Sequence, residues 1–206
     1  MDERLSLVQL DLLKEVGTIG GGRAATALAD LLGEEVSISV PQVSIIPLEN
    51  ISSIFTNIEK TFFVTDLDIK GDLLGRIFLM FSPEHAKFLA GNLMHKDKDE
   101  IDPEDEMFQS SLKEITNILS GSYISALAEL TNLNMICGVP SLAVDMVGAI
   151  LDFIFIQIAQ YSDNVLYIKT DLKVRELNIE GVFLFFPHSE SLRKIFEVFG
   201  IKETSL

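Results

Sequence analysis

The chain repeats itself. Shifted by 99 residues, Leu13–Pro41 lies on Leu112–Pro140 without a gap. Leu13, Lys14, Glu15, Ile19, Gly22, Ala27, Leu28, Ala29, Leu31, Val40 and Pro41 recur as Leu112, Lys113, Glu114, Ile118, Gly121, Ala126, Leu127, Ala128, Leu130, Val139 and Pro140. Eleven identities in twenty-nine positions are far more than unrelated helical segments share. With small insertions the match continues, Thr65-Asp66-Leu67 answering Thr170-Asp171-Leu172 and Gly75 with its apolar strand answering Gly181 with Val182–Phe186. A period near 100 residues is too long for a solenoid unit and fits a duplicated half-domain. The expected organisation is one domain over residues 1–206 made of two repeats, approximately 6–95 and 103–199.

Each half carries the same order of elements. A long helix comes first, Ser6–Leu32 and Pro103–Leu130, with apolar positions such as Phe108, Leu112, Ile115 and Leu119 at three- and four-residue steps. An alternating stretch ending in proline follows, Val36–Val40 before Pro41 and Met135–Val139 before Pro140, as suits a strand end or a sheet edge. Two further strands come next, Phe62–Ile69 with Leu74–Phe81 and Val165–Val174 with Gly181–Phe186, each pair joined by an Asp/Gly-containing turn or its counterpart. Short helices at Pro83–Met94 and Ser189–Phe199 close the halves. Hairpins with helices between them predict an α+β fold, a pseudo-twofold α/β sandwich with a largely antiparallel sheet and two long motif-bearing helices. The acidic run Lys96–Glu106 reads as a solvated connection.

A formal charge of −15 opposes binding to nucleic acid or to anionic membranes, because each phosphate contact works against overall repulsion. Met1–Leu5 lacks the basic and apolar segments of a secretory signal. The most apolar stretch, Leu142–Tyr161, contains Asp145 and Asp152, so it predicts a buried helix rather than a membrane span. With a single cysteine, Cys137, no intrachain disulfide is possible. A cytoplasmic protein is expected.

The duplicated frame holds a pattern of polar side chains. The second half has Ser110-x-x-x-Glu114-x-x-Asn117, then twenty-two residues, then Pro140; the first has Asp11-x-x-x-Glu15-x-x-Thr18, then twenty-two residues, then Pro41. At i and i+3, Glu114 and Asn117 share one helix face. Counting 100° per residue, that face lies roughly opposite Leu112, Ile115 and Leu119, so an acid and an amide face solvent together.

This paired signature resembles that of the CheC/CheX/FliY phosphatase family, and its two-copy arrangement is similar to the CheC branch. The resemblance covers essentially the whole chain. It implies a phosphatase acting on the aspartyl phosphate of the chemotaxis response regulator CheY, with Asn117 orienting the attacking water and Glu114 holding the regulator in register. It implies no cofactor or metal of the protein's own, the Mg²⁺ ion being held by the regulator. CheD, a receptor deamidase, is a further partner the resemblance suggests, and Asp145, just past Pro140, is a candidate partner contact. The alternative is a non-catalytic adaptor that binds CheY or CheD. Thr18 departs from the pattern: its hydroxyl sits on a shorter arm than an amide, which offers both donor and acceptor at its tip. A degraded first site at Glu15 and Thr18 is therefore expected.

Gly17–Gly22 is not a nucleotide loop, since no strand precedes it and Gly-Lys-Ser/Thr is missing. Its glycines permit either close helix packing or a break in the helix. His85, His95 and His188 are scattered, without metal-ligand spacing to one another or to Cys137. Cys137, in a predicted strand, reads as a small core residue.

Overall fold

Apolar residues at helical spacing need a surface to cover, and the two hairpins supply it. The computed structural model describes residues 7–200, so Ser6, taken above as the start of the first helix, lies outside the described residues. Helix α1 (Leu7–Leu32) leads into strand β1 (Val36–Pro47) and a 3-10 turn, Leu48–Ile54. The hairpin β2 (Thr61–Gly71) and β3 (Gly75–Phe81) follows, then α2 (Pro83–Met94). The second half contains α3 (Glu106–Thr131), β4 (Met135–Cys137), β5 (Ser141–Met146), α4 (Val147–Ile158), the hairpin β6 (Asn164–Val174) and β7 (Leu177–Pro187), and α5 (Ser189–Val198).

All strands join one antiparallel sheet in the order β1-β6-β7-β3-β2-β4, with β5 also paired to β2. The halves meet at the centre, where β3 pairs β7 from Gly75↔Pro187 to Met80↔Val182. Alternation along the strands divides the core in two. Leu67, Ile77, Leu79, Ile168 and Phe183 face a layer formed by α1, α2, α3 and α5. Phe78, Met80, Tyr167, Leu184 and Phe186 pack under α4 and the 3-10 turn. The architecture is the mixed α+β fold with an antiparallel sheet that the sequence suggests.

Several boundaries differ from expectation, each for a local reason. Helix α3 starts at Glu106 rather than Pro103, because the Asp105 carboxylate accepts the Met107 N–H and caps the first turn there. Strand β1 does not stop at Pro41. Its register against β6 shifts between Ser39 and Gln42, leaving one extra residue in a bulge that absorbs the proline. The same device interrupts the opposite edge: between Ile69↔Cys137 and Asp66↔Ser141 the outer chain again holds one residue more than β2, and Pro140 lies in that gap. The apolar stretch expected as one helix divides instead into β5 and α4, whose outer side leaves Phe153, Phe155 and Ile156 exposed. Among the described residues no helix is long and apolar enough to cross a membrane.

Helix α1 runs unbroken through its glycines. Gly20 marks the close approach to α3, where an added Cβ would stand 2.8 Å from the Tyr123 Cα; Gly22 has open space around it. These two positions should respond with opposite signs. Gly22→Ala should stabilise the fold by about 0.5–1 kcal/mol through reduced backbone entropy loss. Gly20→Ala meets backbone that cannot yield and should destabilise by about 1–3 kcal/mol. Urea midpoints of the two variants check this, and shifts of the same sign would contradict it.

Candidate functional site

Helix α3 is defined at both ends, by Asp105 at its start and by Asn132 in the left-handed conformation at its end. Its inner face is apolar and sealed, Phe108, Leu112, Ile115 and Leu119 all being at most 2% exposed. Among them lie buried hydroxyls, and that of Thr116 reaches across to the sheet. Thr116 Oγ donates to or accepts from Thr65 Oγ of β2 at 2.7 Å, and it also reaches the Leu112 carbonyl at 2.9 Å. This face turns the other side of the helix outward, and Ser110, Glu114 and Asn117 are all exposed there.

Asn117 and Glu114 lie together. The Asn117 amide N–H points at a Glu114 carboxylate oxygen at 3.4 Å, a loose contact at the long end of hydrogen-bond range. Glu114 has no ion pair among the described residues, so its carboxylate is available to a cation from outside. An amide carbonyl and a carboxylate side by side on a rigid helix can accept from a water and engage a positive side chain at once.

On α1 the corresponding residues Asp11, Glu15 and Thr18 are also exposed. Thr18 differs in more than length: its hydroxyl is turned back and donates to the Lys14 carbonyl at 2.9 Å. Such back-bonding to residue i−4 satisfies a threonine within its own helix and holds its proton away from an incoming ligand. The two triplets are not joined to one another by any hydrogen bond or ion pair among the described residues. Their helices are, through the Gly20–Tyr123 approach and an Arg23–Glu129 ion pair at 2.5 Å.

The motif prolines occupy equivalent places on opposite sheet edges, Pro41 exposed and Pro140 buried. Asp145 is exposed near the end of β5, its carboxylate accepting the Met146 N–H at 2.7 Å immediately before α4 begins. Cys137 packs against the core in β4, and burial pushes its thiol up to about 11, so it stays protonated and unreactive near neutral pH. No group of three His, Cys, Asp or Glu side chains suited to a metal ion occurs among the described residues. Sequence reasoning passed over Thr116 and Thr65. The available signal was a hydroxyl on the apolar face of α3, directly beside the motif asparagine.

Known proteins resemble the chain in sequence and in fold. The profile described as chemotaxis phosphatase CheX matches residues 64–150, and that of the CheC-like family matches residues 8–45. The CheY-P phosphatase CheC of Bacillus subtilis is 29% identical over 93% of this chain and 94% of its own length. Among solved structures, Thermotoga maritima FliY superposes with a TM-score of 0.77 at 22% identity, covering 97% of this chain and 99% of that one. CheX in a CheX–CheY–BeF3–Mg complex from Borrelia burgdorferi gives 0.51 at 17% identity, over 82% of this chain and 96% of that one. Two helices in one repeated frame, with an acid–amide pair on α3 and an acid–threonine pair on α1, one antiparallel sheet beneath them, and a full-length likeness to CheC converge: the chain belongs to the CheC/CheX/FliY phosphatase family.

Proposed function

We propose that this chain is a single domain of two repeats, residues 6–95 and 103–199, that accelerates hydrolysis of the aspartyl phosphate on phosphorylated CheY. Asn117 is the catalytic residue. Its amide enters the regulator's site and orients a water in line with phosphorus, while Glu114 engages a lysine of the regulator and fixes the register. The regulator supplies the Mg²⁺ ion that neutralises charge on the phosphoryl oxygens, and this chain needs no cofactor of its own. Phosphoryl transfer passes through a loose transition state in which positioning and electrostatics dominate, so one well-placed amide is a sufficient contribution. The observation that carries the proposal is the exposed Glu114–Asn117 pair on α3, set against a first copy whose Thr18 hydroxyl is bonded to its own helix.

Phosphate release from phosphorylated CheY, measured with and without the chain, tests it directly. Glu114→Ala should reduce the acceleration by about tenfold or more, the scale of a lost charge-assisted contact, whereas Glu15→Ala should change it by less than about threefold. Equal losses would contradict the ranking of the two sites.

A second reading has support from a different surface. The exposed Phe153, Phe155 and Ile156 of α4, following Asp145 on the edge strand, form an apolar face suited to a protein partner, with CheD the expected occupant. On that reading the chain is a non-catalytic adaptor. The release assay separates the two, because an adaptor binds phosphorylated CheY and leaves its dephosphorylation rate unchanged.

A further inference from the structure

We infer that Thr116 and Thr65 form a positioning pair that sets the rotation of α3, and through it the placement of Asn117. The inference rests on the phosphatase reading above and adds a device to it. The two hydroxyls meet at 2.7 Å in a buried setting, Thr116 being 1% and Thr65 3% exposed. Each hydroxyl has one proton to give: Thr116 donates to the Leu112 carbonyl at 2.9 Å and accepts from Thr65, for which the Leu79 carbonyl at 3.3 Å is the longer, competing acceptor. The pair therefore connects the backbone of the motif helix to the backbone of the central hairpin through two side chains.

The halves differ at this point as they do at the amide. Thr65 has its counterpart in Thr170, and Thr116 has its counterpart in Gly17, which carries no hydroxyl and packs against Val40. Thr170 bonds instead to the Tyr123 hydroxyl at 3.4 Å, and Tyr123 also belongs to α3. Both sheet threonines thus hold α3 and neither holds α1. The helix that keeps the asparagine is the helix tied to the sheet.

Apolar packing fixes which face of a helix is buried, but it tolerates small rotations that a hydrogen bond does not. At a side-chain radius of about 5–6 Å, a rotation of about 10° moves a functional group by roughly 1 Å. A displacement of that size costs about a hundredfold when catalysis depends on placing a water. Thr116 lies next to Asn117 in sequence, about 100° round the helix on its buried side, so a fixed point there directly limits that rotation.

Thr116→Val keeps the shape and removes the hydroxyl, and the Thr65 proton then turns to the Leu79 carbonyl, so no buried donor is left unpaired. We expect a folded protein whose melting temperature falls by about 2–4 °C. Its kcat for phosphate release should fall about tenfold, with KM changed by less than about twofold, because placement and not docking is affected. Thr116→Ser should restore kcat to within about threefold of wild type, and Thr65→Val combined with Thr116→Val should be no worse than Thr116→Val alone, as for two members of one bond. Asn117→Ala is measured beside them. If that variant loses the acceleration while Thr116→Val keeps full kcat, or loses activity that serine does not restore, the positioning role is wrong and the phosphatase reading stands. If Asn117→Ala keeps the acceleration, the reading itself fails and the positioning role with it.

Discussion

Asn117→Ala should abolish accelerated phosphate release from phosphorylated CheY while leaving the two proteins able to bind. The structure indicates why the effects separate. Asn117 is exposed on the outer face of α3 and makes one loose contact, with Glu114, so its removal does not disturb the core. Loss of a single neutral hydrogen bond to the partner is worth about 0.5–1.5 kcal/mol, which weakens binding by a factor of roughly 2–10. The amide's share of transition-state placement is larger, and its loss should reduce kcat by at least about a hundredfold, equivalent to about 2.7 kcal/mol. Single-turnover dephosphorylation, with affinity for the BeF3-bound regulator measured in parallel, checks both halves. A loss confined to affinity would mean that Asn117 docks the regulator and does not catalyse.

The second large effect concerns the platform. Phe108, at the start of α3, is fully buried and meets the Phe63 ring of β2 edge-on, with centroids 5.1 Å apart. Phe108→Ala removes that contact and opens a cavity under the first turn of the motif helix, which should destabilise the fold by about 3–5 kcal/mol. In a chain of this size that lowers the melting temperature by roughly 10 °C. The neighbouring Met107 is 62% exposed and provides the control. Met107→Ala should change stability by no more than about 0.5 kcal/mol. Guanidinium unfolding of the two variants checks the contrast, and similar midpoints would mean that α3 does not depend on its sheet contact at this end.

Much of the fold was legible because each half states it in two periodicities. The 3.6-residue pattern of Phe108, Leu112, Ile115 and Leu119 identifies both the helix and its buried face. Alternation through Val36–Val40 identifies a strand, and the apolar runs Val165–Val174 and Gly181–Phe186 on either side of a short turn identify a hairpin. Where prediction fell short, a residue's usual meaning was overridden by its place in the sheet. Pro41 and Pro140 read as a strand end or a sheet edge, and both stand at an edge: Pro140 lies between β4 and β5, whereas β1 runs on past Pro41 through a bulge, where a missing donor breaks no ladder bond. In the run from Leu142 to Tyr161 only Asp145 and Gly148 hint at a break between strand and helix, and the division is set by pairing with β2, which extends to Met146. Gly17–Gly22 left two possibilities open, and contact with Tyr123 decides for close packing.

The motif was legible in the same uneven way. Spacing alone puts Glu114 and Asn117 on one exposed face, since that follows from helix geometry. Where the Thr18 hydroxyl turns, or which strand residue lies beneath Thr116, depends on contacts that sequence does not show. Those contacts sharpen the inequality between the halves. In α1 the residue at the amide position is satisfied internally, while α3 presents its amide outward and is itself bonded to the sheet.

That inequality is what distinguishes the two halves. Its most direct test is the rate of phosphate release from phosphorylated CheY with Thr18→Ala and Asn117→Ala compared at equal concentration. The expected result is Thr18→Ala within about twofold of wild type and Asn117→Ala at the regulator's own slow rate. Comparable losses in the two variants, or a larger loss in Thr18→Ala, would contradict it.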